Sequence, residues 1–178
     1  MPTTAALMLG IDPGINNASW ALITEEGDLV DAGIVYNPYE TDGLVEKYKK
    51  PVVMAQVLAQ KLGGLGKTHK GISHVSFEWL QGHSGRNFYS LCSMSIVNGA
   101  VIGSFPKCEF RAFPPNKWKG RIIDKDTVHA EIVADITAKS RARLNEILSP
   151  YDVEDQHNIF DAIGVALFGL KELRDGKF

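Results

Sequence analysis

Met8-Leu-Gly-Ile-Asp12-Pro-Gly14-Ile-Asn-Asn-Ala18-Ser-Trp-Ala-Leu-Ile23 decides how the chain folds. It reads as a buried strand, a sharp turn and a second strand returning antiparallel. The first run is short, apolar and closed by Pro-Gly, the signature of a strand ending in a turn. Asp12 stands where the chain leaves the sheet. A carboxylate beside apolar neighbours is costly unless it is paired or holds a cation. Taken alone, Asp12 reads as a turn aspartate bonding its own backbone. Its company further along the chain changes that reading.

Working outward, Asn17–Thr24 is the second strand, and Glu26-Gly27-Asp28 turns into a third, Leu29–Tyr36, which gives an antiparallel meander. Apolar spacing over Leu44–Leu62 predicts a helix that Pro51 either bends or begins. Gly63-Gly64-Leu65-Gly66-Lys67-Thr68 lacks the glycine spacing and preceding strand of a phosphate loop, and reads as a linker that ends the helix. Ile72–Trp79 alternates as a fourth strand, with Glu78 near its end. After the loop Gln81–Arg86, Asn87–Phe105 is a helix rich in small residues. Cys108–Phe113 is a fifth strand, and Asn116–Gly120 a short turn. One helix is expected over Asp126–Leu148 with Asp126 as its N-cap, and a last one from about Asp155 to Leu173. The order predicts a single α/β domain over 1–178, a mixed five-stranded sheet with helices on both faces.

The chain has 178 residues, enough for one good core, and 44% hydrophobic content is that of a globular protein. No apolar run approaches the ~20 residues a bilayer crossing needs, so no membrane partner is expected. The opening Met-Pro-Thr-Thr-Ala-Ala carries no secretion signal. Cys92 and Cys108 have no metal-spaced neighbours and read as buried free thiols. A cytoplasmic setting is expected. The net charge of −2 hides an uneven distribution: residues 107–143 carry nine bases against five acids. A basic sector on an acidic body suits a phosphate-binding face, although solvated helix charge explains part of it.

Three carboxylates share one trait, a place at or near an element end among apolar residues: Asp12, Glu78 and Asp161. With the first and fourth strands adjacent, Asp12 and Glu78 point to one side. His157 and Asn158 precede Asp161 by four and three residues, near one helix face. Oxygen ligands with one nitrogen suit Mg²⁺, or Mn²⁺ in its place, rather than zinc. Two such ions serve phosphodiester hydrolysis.

These residues carry a resemblance. Gly10-Ile-Asp12-Pro-Gly14, Asp31-Ala-Gly-Ile, Phe77-Glu78, Val97-Asn-Gly-Ala-Val-Ile-Gly103, Pro115-Asn-Lys-Trp-Lys119, Asp124-Lys125-Asp-Thr-Val128 and Asp161-Ala-Ile-Gly-Val-Ala occur in the order of the RuvC family of Holliday-junction resolvases. The chain resembles that family, within the RNase H-like nucleases, over nearly its whole length. The resemblance implies an endodeoxyribonuclease that resolves four-way junctions by paired symmetric nicks, as a homodimer, leaving 5′-phosphate ends. It implies that Asp12, Glu78 and Asp161 bind two Mg²⁺ ions. A fourth ligand is expected three residues before the last acid, where this chain has Asn158; His157 is preferred, with Asp155 more distant. Lys119 and Lys125 match the family's phosphate contacts, with Lys117 and Arg121 close by, and Arg86 and Gln81 join the DNA-facing set. Gln81 occupies the place of the family's aromatic wedge, for which Trp79, Phe88 and Tyr89 are substitutes unless the last two belong to the helix core. Two other readings stand beside this one. One is a broader branch or flap nuclease, and the other a non-catalytic nucleic-acid-binding relative.

Overall fold

The computed structural model describes residues 6–40, 48–79, 88–119 and 125–178, with the backbone alone at 125–128. The turn after Asp12 does return the chain antiparallel. β1 (Leu7–Asp12) pairs with β2 (Asn17–Thr24), Gly10 opposite Ala21 and Asp12 opposite Ser19, and β2 pairs antiparallel with β3 (Leu29–Tyr36). On its other side β1 runs parallel to β4 (Ile72–Glu78), which is parallel to β5 (Glu109–Phe113). The sheet order is β3-β2-β1-β4-β5, so both central strands end at one edge of the fold.

The alternation of side chains across a strand divides the core in two. Leu9, Ile11, Val75 and Phe77 face α1 (Lys49–Thr68) and α2 (Phe88–Ser104), packing on Met54, Leu58, Leu62, Val97 and Val101. Met8, Ala21 and Ile23 face the other way. They meet α6 (Val153–Arg174) and the shorter α4 (Lys125–Asp135) and α5 (Ala138–Leu148) through Ile132, Ile136, Leu144, Ile159 and Ile163. Helices therefore cover both faces of a mixed five-stranded sheet, as the element order predicts.

Several boundaries differ from the sequence reading, each for a physical reason. α1 does not stop at Leu62. It runs through Gly63-Gly64-Leu65-Gly66 to Thr68, because Leu65 continues the buried row of Leu58 and Leu62, and that packing outweighs the poor helix propensity of glycine. Pro51 lies in the first turn, where proline is tolerated. The expected start at Leu44 lies outside the described residues. Asn116–Gly120 is in part a one-turn helix, α3 (Pro115–Trp118).

The single helix expected over 126–148 is two. Thr137 leaves helical geometry at φ −64°, ψ 158° and accepts a hydrogen bond from Ser140 N, starting α5 afresh. The break aims α5 at β3, where the buried Ser140 hydroxyl accepts from Leu29 N at 2.6 Å. Asp126, expected as an N-cap, lies inside α4. α6 begins two residues earlier than expected, capped by Asp152, which accepts from Asp155 N. Cys92 is exposed on α2 and not buried, while Cys108 is half-buried on Ile72 O. No helix among the described residues is long and apolar enough to cross a membrane.

Candidate active site

The site is built where β1, β4 and α6 meet. In the parallel β1–β4 register Ile11 lies opposite Phe77, so the next residues, Asp12 and Glu78, end neighbouring strands. Ile11 and Phe77 face α1 and α2, so Asp12 and Glu78 turn to the opposite side, toward α6. Behind them α6 sits unusually close. Gly10 faces Ala162 and Ala166 with no room for a side chain, since a Cβ there would stand 2.3 Å from Ala162 O. Ser76 Oγ donates to Val165 O at 2.9 Å. Ser19, opposite Asp12, donates to Asn158 O. These contacts bring Asp161, about two turns into α6, alongside the strand ends.

The fourth wall comes from α3. Trp118 lies flat on α6 at Gly164, where a Cβ would meet the ring at 2.4 Å, and its Nε1 donates to Glu78 Oε2 at 3.1 Å. The next residue, Lys119, donates from Nζ to Asp161 Oδ2 at 2.6 Å, and its Nζ is 3.8 Å from Glu78 Oε2. The ammonium also stands 4.6 Å over the Trp118 ring. Beside this wall opens a groove of about 570 Å³, lined by Lys117, Glu131, Ile132, Leu167 and Phe168 among others.

The electrostatics follow from the crowding. Burial, then the charges of Glu78 and of Asp161, hold the Asp12 carboxyl well above the usual carboxylate range, and Lys119 opposes them only in part. Burial pulls the Lys119 ammonium down, but Asp161, Glu78 and Asp12 outweigh it, and its pKa is raised. Among the described residues, three carboxylates from three elements thus stand together with Lys119. Such a donor set, all oxygen and carboxylate, fits a hard divalent cation. Among the described residues no group of three or more His, Cys, Asp or Glu lies placed to hold a metal ion as the side chains stand, and Lys119 is in contact with Asp161 and near Glu78.

The other expected residues fall variously. His157 is turned to α4, its Nδ1 3.1 Å from His129, with the rings 4.4 Å apart and His129 stacked on Phe160. Asn158 is held at its carbonyl by Ser19, beside the site. Asp155 accepts a hydrogen bond from the Tyr36 hydroxyl at 2.5 Å, and burial, before that bond, pushes the phenol above its ordinary range. Lys117 is exposed, one residue from the wall. Gln81, Arg86 and Arg121, and the side chain of Lys125, lie outside the described residues. Phe88 is 81% exposed and so does not belong to the helix core, while Tyr89 packs edge-on against Tyr48 at 5.2 Å. The basic sector is thinner than its count implies. Lys139 pairs with Asp28, Arg143 with Asp31 and Glu146, and Arg111 bonds Lys177 O.

Trp118 is the residue the sequence reading missed. Its signal was there in two places, a tryptophan between two lysines and a glycine three residues after Asp161 that receives its ring.

No protein-family model and no curated protein sequence matches the chain. Solved structures do resemble it. T. thermophilus RuvC in complex with Holliday junction substrate aligns with a TM-score of 0.64 at 14% identity, over 97% of both chains. A second Thermus thermophilus RuvC structure gives 0.56 at 18% identity, over 96% of this chain and 97% of that one. The Fowlpox virus resolvase complexed with substrate Holliday junction DNA gives 0.53 at 17%, over 93% and 99%. At these identities the likeness is one of fold, and the chain has the RuvC-like, RNase H-type arrangement.

Proposed function

We propose that this protein is a metal-dependent endodeoxyribonuclease that resolves four-way DNA junctions by paired nicks. The observation that carries the reading is the convergence of Asp12, Glu78 and Asp161 in a fold shared along its length with junction resolvases. A non-catalytic nucleic-acid binder has no use for three carboxylates facing phosphate, since they repel it. Asp12, Glu78 and Asp161 would hold Mg²⁺, and the further ligand would be Asn158, beside the site, or His157 once its ring leaves His129. Bound there, such ions would supply Lewis acidity to activate a water and stabilise a leaving 3′ oxygen.

The chain's own residues do the positioning. The β1–β4 register and the Gly10–α6 contact fix the carboxylates on rigid elements. Trp118 Nε1 holds one Glu78 oxygen and so orients the carboxylate. Lys117, with Arg121, Lys125 and Arg86, supplies cations for the DNA backbone, where contacts position the duplex without reading sequence.

A junction with two-fold symmetry needs two matched active sites, which a two-fold homodimer provides. α2 suits the interface. Its outward stripe of Phe88, Cys92, Ile96, Gly99, Ile102 and Gly103 is apolar and small, with Ile96 and Ile102 41% and 44% exposed. Ile96→Asp is expected to give a folded monomer by light scattering that nicks one strand of a junction without the paired second cut. A dimer persisting in that variant places the interface elsewhere.

The direct test sets a synthetic four-way junction against matched linear duplex, flap and fork DNA, each with Mg²⁺. Symmetric nicks with 5′-phosphate ends, in the junction alone, are expected. Equal cutting of flaps and forks makes the chain a general branch nuclease. Tight junction binding without cutting in Mg²⁺ or Mn²⁺ overturns the enzymatic reading.

A further inference from the structure

Lys119 does not behave as a surface cation. Lys117, two residues earlier on the same turn, is exposed, while the Lys119 side chain is only 26% exposed. Its ammonium is placed against two acids from different elements, at 2.6 Å from Asp161 and 3.8 Å from Glu78. The placement is braced. Trp118 bonds the same Glu78 oxygen, packs its ring on Gly164 and carries the Lys119 ammonium over that ring. A lysine is suited to such a seat, being a compact point charge on a stem of four rotatable carbons that can reach in or swing out.

We propose that Lys119 is an internal counterion that exchanges with divalent cations. Its ammonium offsets part of the charge of Asp161 and Glu78 until a divalent cation takes those oxygens, and it is then released toward the phosphate backbone of DNA. The proposal rests on the reading of the three acids as a metal site. The physical ground is charge. An ammonium and a divalent cation competing for the same two carboxylates repel each other, and the cation with twice the charge wins at sufficient concentration. The displaced ammonium, left beside an incoming phosphodiester, gains the partner it has lost. Cation loading and DNA binding then favour each other, as linkage requires.

The test titrates Mn²⁺ into the full chain by calorimetry without DNA, comparing wild type with Lys119→Met, Lys119→Arg and Lys171→Met. Lys171 is an exposed cation on α6 outside the acid cluster, so its variant controls for global charge. Lys119→Met is expected to bind Mn²⁺ at least tenfold more tightly than wild type, and Lys119→Arg and Lys171→Met to stay within about twofold. Junction binding gives the second readout. In EDTA, wild type and Lys119→Met should show the same salt dependence. With Ca²⁺ present, the wild-type slope should steepen by about one phosphate contact and that of Lys119→Met should not. Mn²⁺ affinity unchanged or weakened in Lys119→Met, or tightened equally in Lys171→Met, overturns the exchange while leaving the metal site in place. Failure of every variant and of wild type to bind Mn²⁺ removes the metal site itself, and the exchange with it.

Discussion

Asp12→Asn is expected to abolish cleavage while making the protein more stable at neutral pH. On activity, losing one carboxylate from the cation site removes several kcal/mol of transition-state charge stabilisation, and ~4 kcal/mol corresponds to a loss of ~10³-fold. On stability, the sign follows from proton binding. The Asp12 carboxyl is raised well above its ordinary range by burial, then by Glu78 and Asp161. Between the unfolded carboxylate value of ~3.9 and the raised folded one, the native chain holds a proton that the unfolded chain has lost. Stability therefore falls as pH rises through that window, and the full penalty is present above it. Asparagine keeps the shape and removes the charge. The melting temperature of the variant should match wild type below about pH 4 and exceed it at pH 7, by ~2–4 °C for each kcal/mol of repulsion relieved. Mg²⁺ should reverse the order, raising the wild type and leaving the variant where it was. Thermal melts at both pH values, in EDTA and in Mg²⁺, check all of this. Equal stabilisation of both proteins by Mg²⁺ would mean that Asp12 is not a ligand.

That trade of stability for a charged cluster explains why the acids were the legible part of the sequence. Asp12 ends an apolar run and Glu78 an alternating strand, where local propensity would place something cheaper, so each stands out as misplaced. The strands were legible for a related reason. β2 and β3 have the predicted bounds, since alternation and the Pro-Gly and Gly-Asp turns leave little choice. What sequence spacing could not give was anything decided by packing between distant segments. Gly63–Thr68 is helical only because Leu65 finds the core, and the break at Thr137 exists because Ser140 and Asp28 meet β3 and α5. His157 has the spacing to face Asp161, yet its ring is paired with His129, a residue 28 positions away in sequence. Lys119 looked like its neighbour Lys117, and only the fold separates a cation on the surface from one among carboxylates.

Gly10→Ala is expected to be strongly damaging, and it tests whether the strand-to-helix distance sets the site. The added methyl would stand 2.3 Å from Ala162 O and 2.6 Å from both the nitrogen and the Cβ of Ala166. Two of those atoms are backbone, so no rotamer change relieves the clash, and α6 must back away from β1 by about an ångström to restore ordinary contact. Overpacking of this kind costs ~3 kcal/mol or more, which for a domain of this size lowers the melting temperature by ~6–12 °C. Gly63→Ala supplies the contrast. A Cβ at Gly63 meets nothing within 4 Å, so the same change in a helix interior should raise stability by ~0.4–1 kcal/mol. The same displacement of α6 carries Asp161 away from Asp12, since both are held by the contact that Gly10 permits. Gly10→Ala should therefore lose its stabilisation by Mg²⁺, and should lose junction cleavage even at temperatures where it remains folded. Gly63→Ala should keep both. A Gly10→Ala protein within 1 kcal/mol of wild type, still stabilised by Mg²⁺, would show that β1 and α6 can separate without consequence, and the close approach at Gly10 would then not be what holds the acids together.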